Sequence, residues 1–307
     1  HNRFLAKHMD TKEIVKKIKQ LEIITRRRVD EVFAGNYKSS FRGQGLEVND
    51  LRKYEEGDDV RHIDWMVTAR RNELYVKKFQ ETREVSTIIL VDVSSSMKFG
   101  TSKRTKNQVV LETAAFILFS AMKSGDKFGA IIFADKIYKY LPSKKGRAHL
   151  LLILREIIHG FDNDFRVASD LKIAFDFLNK IVKKKSISFL LTDDINSLSK
   201  KDVSLRSIKI ANKKHDLIYL KIFDQFERRI DDNYPAMLVE DLKSTNFDIF
   251  NFQDKKFVQA YNKIRQDKEN EEKGLLNKNK IDILEISTKA NIYKELLLFF
   301  RKRALKQ

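Results

Sequence analysis

The sequence predicts an α/β fold in which helices flank a mainly parallel β-sheet. Short apolar runs rich in β-branched residues recur along the chain, as expected of strands buried on both faces of a parallel sheet. These runs alternate with segments of helical periodicity, and this alternation is typical of right-handed βαβ units. The clearest runs are residues 88–91, 127–133, 187–191 and 217–223.

Composition limits the function classes. The chain has 307 residues, of which 42% are hydrophobic, and this is enough for a substantial core. It contains no cysteine, so disulfides and thiolate metal sites are excluded and a reducing compartment is compatible. No apolar run reaches the roughly 18–20 residues of a membrane span, and no signal peptide is recognisable. We therefore expect a cytoplasmic protein.

The net charge of +18 has two interpretations. A basic surface could bind nucleic acid, or scattered basic residues could form ordinary solvated surface. The basic clusters at 26–28, 183–185 and 301–303 lack the interleaved aromatic residues that stack on bases. We expect no nucleic-acid partner, and a basic nucleic-acid-binding module remains an alternative.

The first part of the chain divides into three stretches. Residues 1–8 are interpreted as a non-native leader, with Met9 as the native start. Residues 9–84 begin with a predicted helix at 10–32 and end with a β-like run at 74–79, and the stretch between is charged and rich in glycine. The apolar stripe of the helix contains Ile14, Ile18, Leu21 and Thr25.

Residues 85–307 are predicted to form the main domain. The strand at 88–91 is followed by an amphipathic helix that ends at Gly125. A short edge strand is expected at 137–141, ending before Pro142. Further helices are predicted at 147–158, 169–182 and 200–213.

An insertion at about 224–280 interrupts the alternation of strands and helices. Residues 237–240 and 248–252 are predicted to form a late β-hairpin, and residues 255–272 a charged helix. Residues 268–280 look the most mobile. The main domain then closes with a strand at 281–286 and a helix at 292–303.

The strongest functional signal follows the strand at 88–91. Asp92, Ser94 and Ser96 stand at alternate positions just past this strand, where open α/β sheets bind their ligands. Carboxylate and hydroxyl oxygens suit a hard divalent cation. The spacing resembles the metal-ion-dependent adhesion site of von Willebrand factor A domains, which implies their Rossmann-like sheet. The alternative is a serine-rich turn that caps the next helix.

The segment before this motif carries a closer resemblance. From residue 51 it reads Leu-Arg-Lys-Tyr-Glu-Glu-Gly-Asp-Asp-Val-Arg-His-Ile-Asp-Trp, and Ala-Arg follows at 69–70. Together with Asp-x-Ser-x-Ser, this string resembles the bacterial family known as domain of unknown function 58, in which such a segment precedes a von Willebrand A core. The residues of this family-specific segment that carry the resemblance are Arg52, Tyr54, Gly57, Asp58, Arg61, Trp65 and Arg70.

Packing roles are expected for most of these residues, with partner contact as the alternative. Trp65 is the only tryptophan and is expected to be a packed anchor. Arg61 and Arg70 are expected to pair with nearby acids, which are Asp58, Asp59 and Asp64. The resemblance also extends to Asp224 and Glu227 after the strand at 217–223, and to the last helix.

The resemblance implies a cation site built from three loops. Its ligands would be Asp92, Ser94 and Ser96 from the first loop, Ser169 from the second and Asp193 from the third. The ion would be Mg²⁺, or Mn²⁺ or Ca²⁺. Two positions depart from the usual pattern: Ser169 replaces a threonine, and Asp194 stands where many A domains have glycine. A simple helix N-cap is the alternative role for Ser169.

The function implied is divalent-cation-dependent protein binding without catalysis. The resemblance implies partnership with a MoxR-type AAA+ ATPase, and proximity to membrane-anchored von Willebrand A proteins is possible. An acidic segment of a partner would complete the ion's shell. Basic residues after the motif form an expected rim that would steer this segment. They are Lys98, Lys103, Arg104 and Lys106.

A metal-dependent phosphohydrolase of the haloacid-dehalogenase type is the enzymatic alternative. Such enzymes use a strand-end aspartate nucleophile and a later acidic pair, which Asp193 and Asp194 imitate. They also need an acid two residues after the nucleophile, and Ser94 occupies that position. Without this acid the leaving group has no proton donor. The chain also lacks a P-loop for ATP.

Overall fold

The computed structural model describes most of the main domain and part of the N-terminal segment. The described residues are 16, 18–25, 27, 29, 50–58, 60, 63–71, 73–78, 86–162, 167–193, 202–230, 237–240, 247–250 and 252–305.

The described residues form ten strands. In chain order they are β1 Asp50–Lys53, β2 Tyr75–Lys78, β3 Ser86–Asp92, β4 Lys127–Phe133, β5 Ile137–Lys144, β6 Ser186–Thr192, β7 Asp216–Phe223, β8 Met237–Glu240, β9 Phe247–Phe250 and β10 Asp282–Ser287. The helices are α1 Trp65–Arg71, α2 Lys106–Lys123, α3 Arg147–Asp162, α4 Leu171–Ile181, α5 Asp202–Lys214, α6 Gln225–Arg228, α7 Lys255–Lys278 and α8 Ile292–Ala304.

A six-stranded sheet with the order β10-β7-β6-β3-β4-β5 lies at the centre. Its strands pair in parallel, except for the antiparallel edge strand β5. When these six strands are counted along the chain, β3 is first and β6 fourth, so the order is the Rossmann order 3-2-1-4-5-6. The predicted α/β fold with a mainly parallel sheet is therefore confirmed. The point where strand order reverses lies between β3 and β6, where such sheets bind ligands.

Strand β3 is buried on both faces because its side chains alternate between two cores. Ile89 and Val91 face the core formed with α2, α3 and α8. Ile88 and Leu90 face the second core, formed with α4, α5 and the end of α7. This explains why the run is continuously apolar, and it fixes the direction in which Asp92 leaves the sheet.

Several element boundaries differ from the predictions, among them those of β5, α4 and α7. Strand β5 continues through Pro142 to Lys144, which is possible because an edge strand does not need every N–H for pairing. Helix α4 begins at Leu171, because Asp170 caps it. Helix α7 runs to Lys278, so most of the stretch that looked mobile is helical. The predicted hairpin is present as antiparallel β8 and β9.

The described N-terminal helical positions pack on the main domain. Ile18, Leu21 and Thr25 are buried, as the predicted stripe requires, while Ile14 lies outside the described residues. Glu22 accepts two hydrogen bonds from the Arg147 guanidinium at the start of α3, at 2.6 and 2.7 Å. No helix in the described part of the chain is both long and apolar enough to cross a membrane.

Candidate metal centre

Asp92 ends β3 and is fixed by hydrogen bonds on both carboxylate oxygens. Its side chain is fully buried. Oδ1 accepts a hydrogen bond from the Ser94 backbone N–H at 2.8 Å, and Oδ2 accepts one from the Thr192 hydroxyl at the end of β6 at 2.6 Å. The carboxylate is thus held across the switch point of the sheet by both strands that form it.

Ser94 and Ser96 lie beside Asp92 at the start of a short 3-10 helix, Ser95–Lys98. Their hydroxyl oxygens are 3.2 Å apart. The Ser94 side chain makes no capping hydrogen bond to this helix. The next long helix, α2, is capped instead by Thr105 and Gln108. The alternative role of the serines as caps is therefore not what the structure shows.

Ser169 lies in the loop before α4, and two contacts place this loop between the ends of β3 and β4. The Ser95 hydroxyl donates to the Val167 carbonyl at 3.0 Å, and the Asp170 N–H donates to the Ala134 carbonyl at 2.8 Å. The Ser169 hydroxyl oxygen is buried and has no hydrogen-bond partner among the described residues. The proposed N-cap role for Ser169 is wrong, because Asp170 caps the helix.

Asp193 follows Thr192 directly and is paired with an unexpected residue, Lys106. The Lys106 ammonium donates to Asp193 Oδ2 at 2.8 Å and to the two Glu227 oxygens at 2.6 and 2.8 Å. Lys106 is fully buried at the start of α2. Its expected place on a basic, solvent-exposed rim is therefore wrong.

A buried polar network continues from Lys106 through Glu227 to Asp224 at the end of β7. Glu227 forms a capping box with Asp224 around α6. Fully buried Asp224 accepts hydrogen bonds from the Thr101 N–H and hydroxyl at 3.0 and 2.6 Å, from the Phe226 N–H at 3.0 Å and from the Thr288 hydroxyl at 2.7 Å. The network joins the loop after Ser96 to strands β7 and β10.

The electrostatics of this edge reflect crowded carboxylates. Burial, and then the nearby charge of Asp193, raise the pKa of Asp92 to about 6, against the hydrogen bonds from Thr192 and Ser94. Burial acts to lower the pKa of Lys106, but Asp193 and Glu227 outweigh it and raise that pKa above its ordinary value. With all groups ionised, the three carboxylates of Asp92, Asp193 and Glu227 face one ammonium, which leaves an excess of negative charge.

The other expected rim residues have different surroundings. Lys103 is exposed and Lys98 is half-buried. Arg104 is engaged within the fold, because its guanidinium donates to the Thr288 carbonyl at 3.1 Å, to the Ala290 carbonyl and to Glu112 at 3.1 Å. Only part of the expected basic rim therefore faces solvent.

The residues of the family-specific segment differ in how well they match the packing roles expected of them. Trp65 is 67% exposed, so the expectation of a packed anchor is wrong. Gly57 adopts a φ of +110° in a turn, a conformation that favours glycine. Asp58 accepts a hydrogen bond from the Glu55 N–H at 3.0 Å.

The remaining positions of that segment add little to the site. Tyr54 is half-buried, and its N–H donates to the Leu74 carbonyl at 2.8 Å. Arg70 is exposed and makes no ion pair within the described chain. Arg52 belongs to β1. Arg61, Asp59 and Asp194 lie outside the described residues.

The arrangement offers oxygen ligands that are mainly hydroxyls. Among the described residues, no group of three or more His, Cys, Asp or Glu side chains is placed to hold a metal ion. The oxygens of Asp92, Ser94, Ser96, Ser169 and Asp193 are of the type that a hard divalent cation prefers. The most informative of them is the buried Ser169 hydroxyl, because it has no hydrogen-bond partner among the described residues. Sequence reasoning places Lys106 on the solvent-exposed rim and misses its buried ion pairs with Asp193 and Glu227, because nothing in its local sequence distinguishes it from its basic neighbours.

Three solved structures that are similar to this chain share 12–13% sequence identity with it. They include an aerotolerance-related membrane protein from Bacteroides fragilis, with a TM-score of 0.46 over 73% of this chain and 100% of that one. BatB from Bacteroides thetaiotaomicron has a TM-score of 0.42 over 72% and 99% of the two chains. A von Willebrand factor type A protein from Catenulispora acidiphila has a TM-score of 0.42 over 73% and 43%. The fold of the present chain is defined by its own strand order.

Relatives in sequence are uncharacterized proteins. One from Mycobacterium tuberculosis is 27% identical over 216 residues, which is 70% of this chain and 67% of the relative. YeaD of Bacillus subtilis is 30% identical over 107 residues, which is 35% of this chain and 25% of the relative. A family model described as "Protein of unknown function DUF58" matches residues 50–271, from β1 into α7. The chain therefore belongs to the DUF58 family, as its Gly-Asp, Trp and Asp-x-Ser-x-Ser residues predict.

Proposed function

We propose that this protein is a divalent-cation-dependent protein-binding module without catalytic activity. The binding site would lie at the carboxyl ends of β3 and β6, with Asp92, Ser94, Ser96 and Ser169 as ligands and Asp193 as a further ligand that binds directly or through water. The observation that carries the proposal is the Ser169 hydroxyl, which is buried and has no hydrogen-bond partner among the described residues. Its loop is bonded to Ser95, three residues after the fixed carboxylate of Asp92, and to Ala134 at the end of β4. A buried hydroxyl that lacks a partner is costly, and a bound cation would supply one.

The charge at this edge supports a cation. The carboxylates of Asp92, Asp193 and Glu227 outnumber the single ammonium of Lys106. Mg²⁺, Mn²⁺ or Ca²⁺ would offset this excess. When bound among neutral hydroxyls, such an ion keeps much of its positive charge and can attract a carboxylate from a partner.

We propose two partners on the basis of the family resemblance. One is a MoxR-type AAA+ ATPase that supplies energy, and the other is an acidic segment, of this partner or of a client protein, that docks at the ion. Exposed Lys103 would help to steer the acidic segment. Both partnerships would operate in the cytoplasm.

The metal is tested with two matched serine variants. Ser169→Ala and Ser120→Ala each remove one buried hydroxyl that has no hydrogen-bond partner among the described residues, but Ser120 lies within helix α2. Ser169→Ala should weaken Mn²⁺ binding by about tenfold or more, while Ser120→Ala should leave it unchanged. Mn²⁺ affinity is measured by electron paramagnetic resonance of the free ion. Equal affinities in both variants would show that Ser169 is not a ligand.

The partner is tested by capture of a purified MoxR-type ATPase on immobilised protein. Capture should need Mg²⁺ and should be lost in EDTA or with Ser96→Ala. Full capture in EDTA would reject the role of the metal, even if the ATPase were the correct partner.

A further inference from the structure

Lys106 is the fully buried cation of this edge. Among the buried polar residues of the described chain there is no other lysine. Its ammonium lies within 2.6–2.8 Å of Asp193 and Glu227 and 5.6 Å from the centre of the Phe99 ring. Burial of an ammonium is costly unless it is paired and hydrogen-bonded, and these contacts provide that compensation.

The partners of Lys106 are also the neighbours of the candidate metal centre. Asp193 adjoins Thr192, whose hydroxyl donates to Asp92 at 2.6 Å. The Asp193 side chain is only 14% exposed, so water screens its charge little. A carboxylate that accepts a hydrogen bond from an ammonium is a poorer metal ligand than a free one. A divalent cation at Asp92 would in addition be repelled by the ammonium.

Building on the function proposed above, we propose that Lys106 is an internal counter-ion that opposes divalent-cation binding at Asp92, Ser94, Ser96 and Ser169. The ammonium and the ion compete for the same carboxylate, that of Asp193. The isolated protein therefore binds the ion weakly. The strength of metal binding is set by a lysine that has no contact with solvent.

Neutral and charged replacements of Lys106 test this role. Lys106→Met keeps the apolar stem and removes the charge, and Mn²⁺ affinity should rise by a factor of about 10–100. Lys106→Arg keeps the charge, and the affinity should stay near that of the wild type. The affinity is measured by electron paramagnetic resonance of free Mn²⁺, after circular dichroism has verified the fold.

Two further variants keep the test decisive. Lys103→Met removes one positive charge from an exposed position in the loop just before α2, and should change the affinity by less than about twofold. The double variant Lys106→Met/Glu227→Gln removes one charge of each sign. It leaves one buried carboxylate fewer without a partner than Lys106→Met does, and it replaces that variant if Lys106→Met fails to fold. It should still bind Mn²⁺ more tightly than the wild type, because Asp193 is released.

The outcomes separate this proposal from the one it builds on. Measurable Mn²⁺ binding that is unchanged or weaker in Lys106→Met and in the double variant overturns the counter-ion role alone, provided that Ser169→Ala still weakens it. An equal gain in Lys103→Met would assign the effect to net charge and would also overturn it. Absence of Mn²⁺ binding in the wild type and in every variant overturns the metal centre and this proposal together.

Discussion

Removal of the Asp224 carboxylate should be among the most damaging single substitutions in this protein. Asp224 and Thr288 are both almost completely buried, and Asp224 accepts hydrogen bonds from two hydroxyls and two backbone N–H groups. Asp224→Ala would leave these four donors without their acceptor. Loss of that acceptor would free the loop at Thr101, the start of α6 and the residue after β10 at the same time.

The magnitude follows from the number and type of these bonds. A hydrogen bond to a charged group contributes about 1.5–3 kcal/mol, and bonds to one acceptor are not additive. We therefore expect Asp224→Ala to lower the free energy of unfolding by about 4–5 kcal/mol, while Thr288→Val, which removes a single donor, should cost about 1.5 kcal/mol.

Urea unfolding near neutral pH measures both values and their coupling. In the background of Asp224→Ala, the cost of Thr288→Val should nearly disappear, because its acceptor is already gone, so the double-mutant cycle should give a coupling of about 1–2 kcal/mol. A loss below about 1 kcal/mol for Asp224→Ala, or strict additivity of the two substitutions, would refute the idea that this network holds the edge together.

Three further predictions concern the core, pH and catalysis. Gly129→Ala in β4 should destabilise the protein by about 2–3 kcal/mol in urea unfolding, because its Cβ would lie 2.6 Å from the Leu141 carbonyl oxygen. Gly274→Ala in α7 meets open space and should stabilise slightly. Burial, and then the charge of Lys214, lower the pKa of His215 from 6.5 to about 4. The unfolded chain therefore takes up this proton first. The contribution of His215 to stability should be full above pH 6.5 and should fall by up to about 3 kcal/mol towards pH 4, which is measured as the change with pH in the difference between the wild type and His215→Asn. Purified protein with Mg²⁺ should hydrolyse neither ATP nor a phosphomonoester; turnover abolished by Asp92→Asn would revive the phosphohydrolase alternative.

The sheet could be predicted because its signals are local. The run at 88–91 is apolar on both faces, and its strand lies between two cores, so a few consecutive residues reveal it. The position of Asp92 can be predicted for the same reason, because the first polar residue after such an apolar run marks the carboxyl end of the strand. The Ser169 loop could be predicted only through the family resemblance.

The predictions of side-chain position are wrong where that position depends on contacts with residues far away in the sequence. Lys106 follows a run of basic residues in the sequence, and its partner Glu227 is 121 positions away. Arg104 was expected on the surface for the same reason, yet its contact with Thr288 spans 184 positions. Residue type predicts a packed Trp65, but residue type describes an average tendency, and this side chain is exposed.

The contacts of Thr101 and Arg104 have a consequence for the order in which the molecule matures during translation. The motif at Asp92 is synthesised early, whereas Thr288 and Ala290, which bind the loop after it, are synthesised more than 180 residues later. A nascent chain that has not reached β10 can contain the whole Asp-x-Ser-x-Ser sequence, but its following loop lacks these anchors. The carboxyl ends of the central strands therefore reach their final form only after residues 288–290 have left the ribosome, and premature termination before residue 288 leaves the motif present but without these anchors.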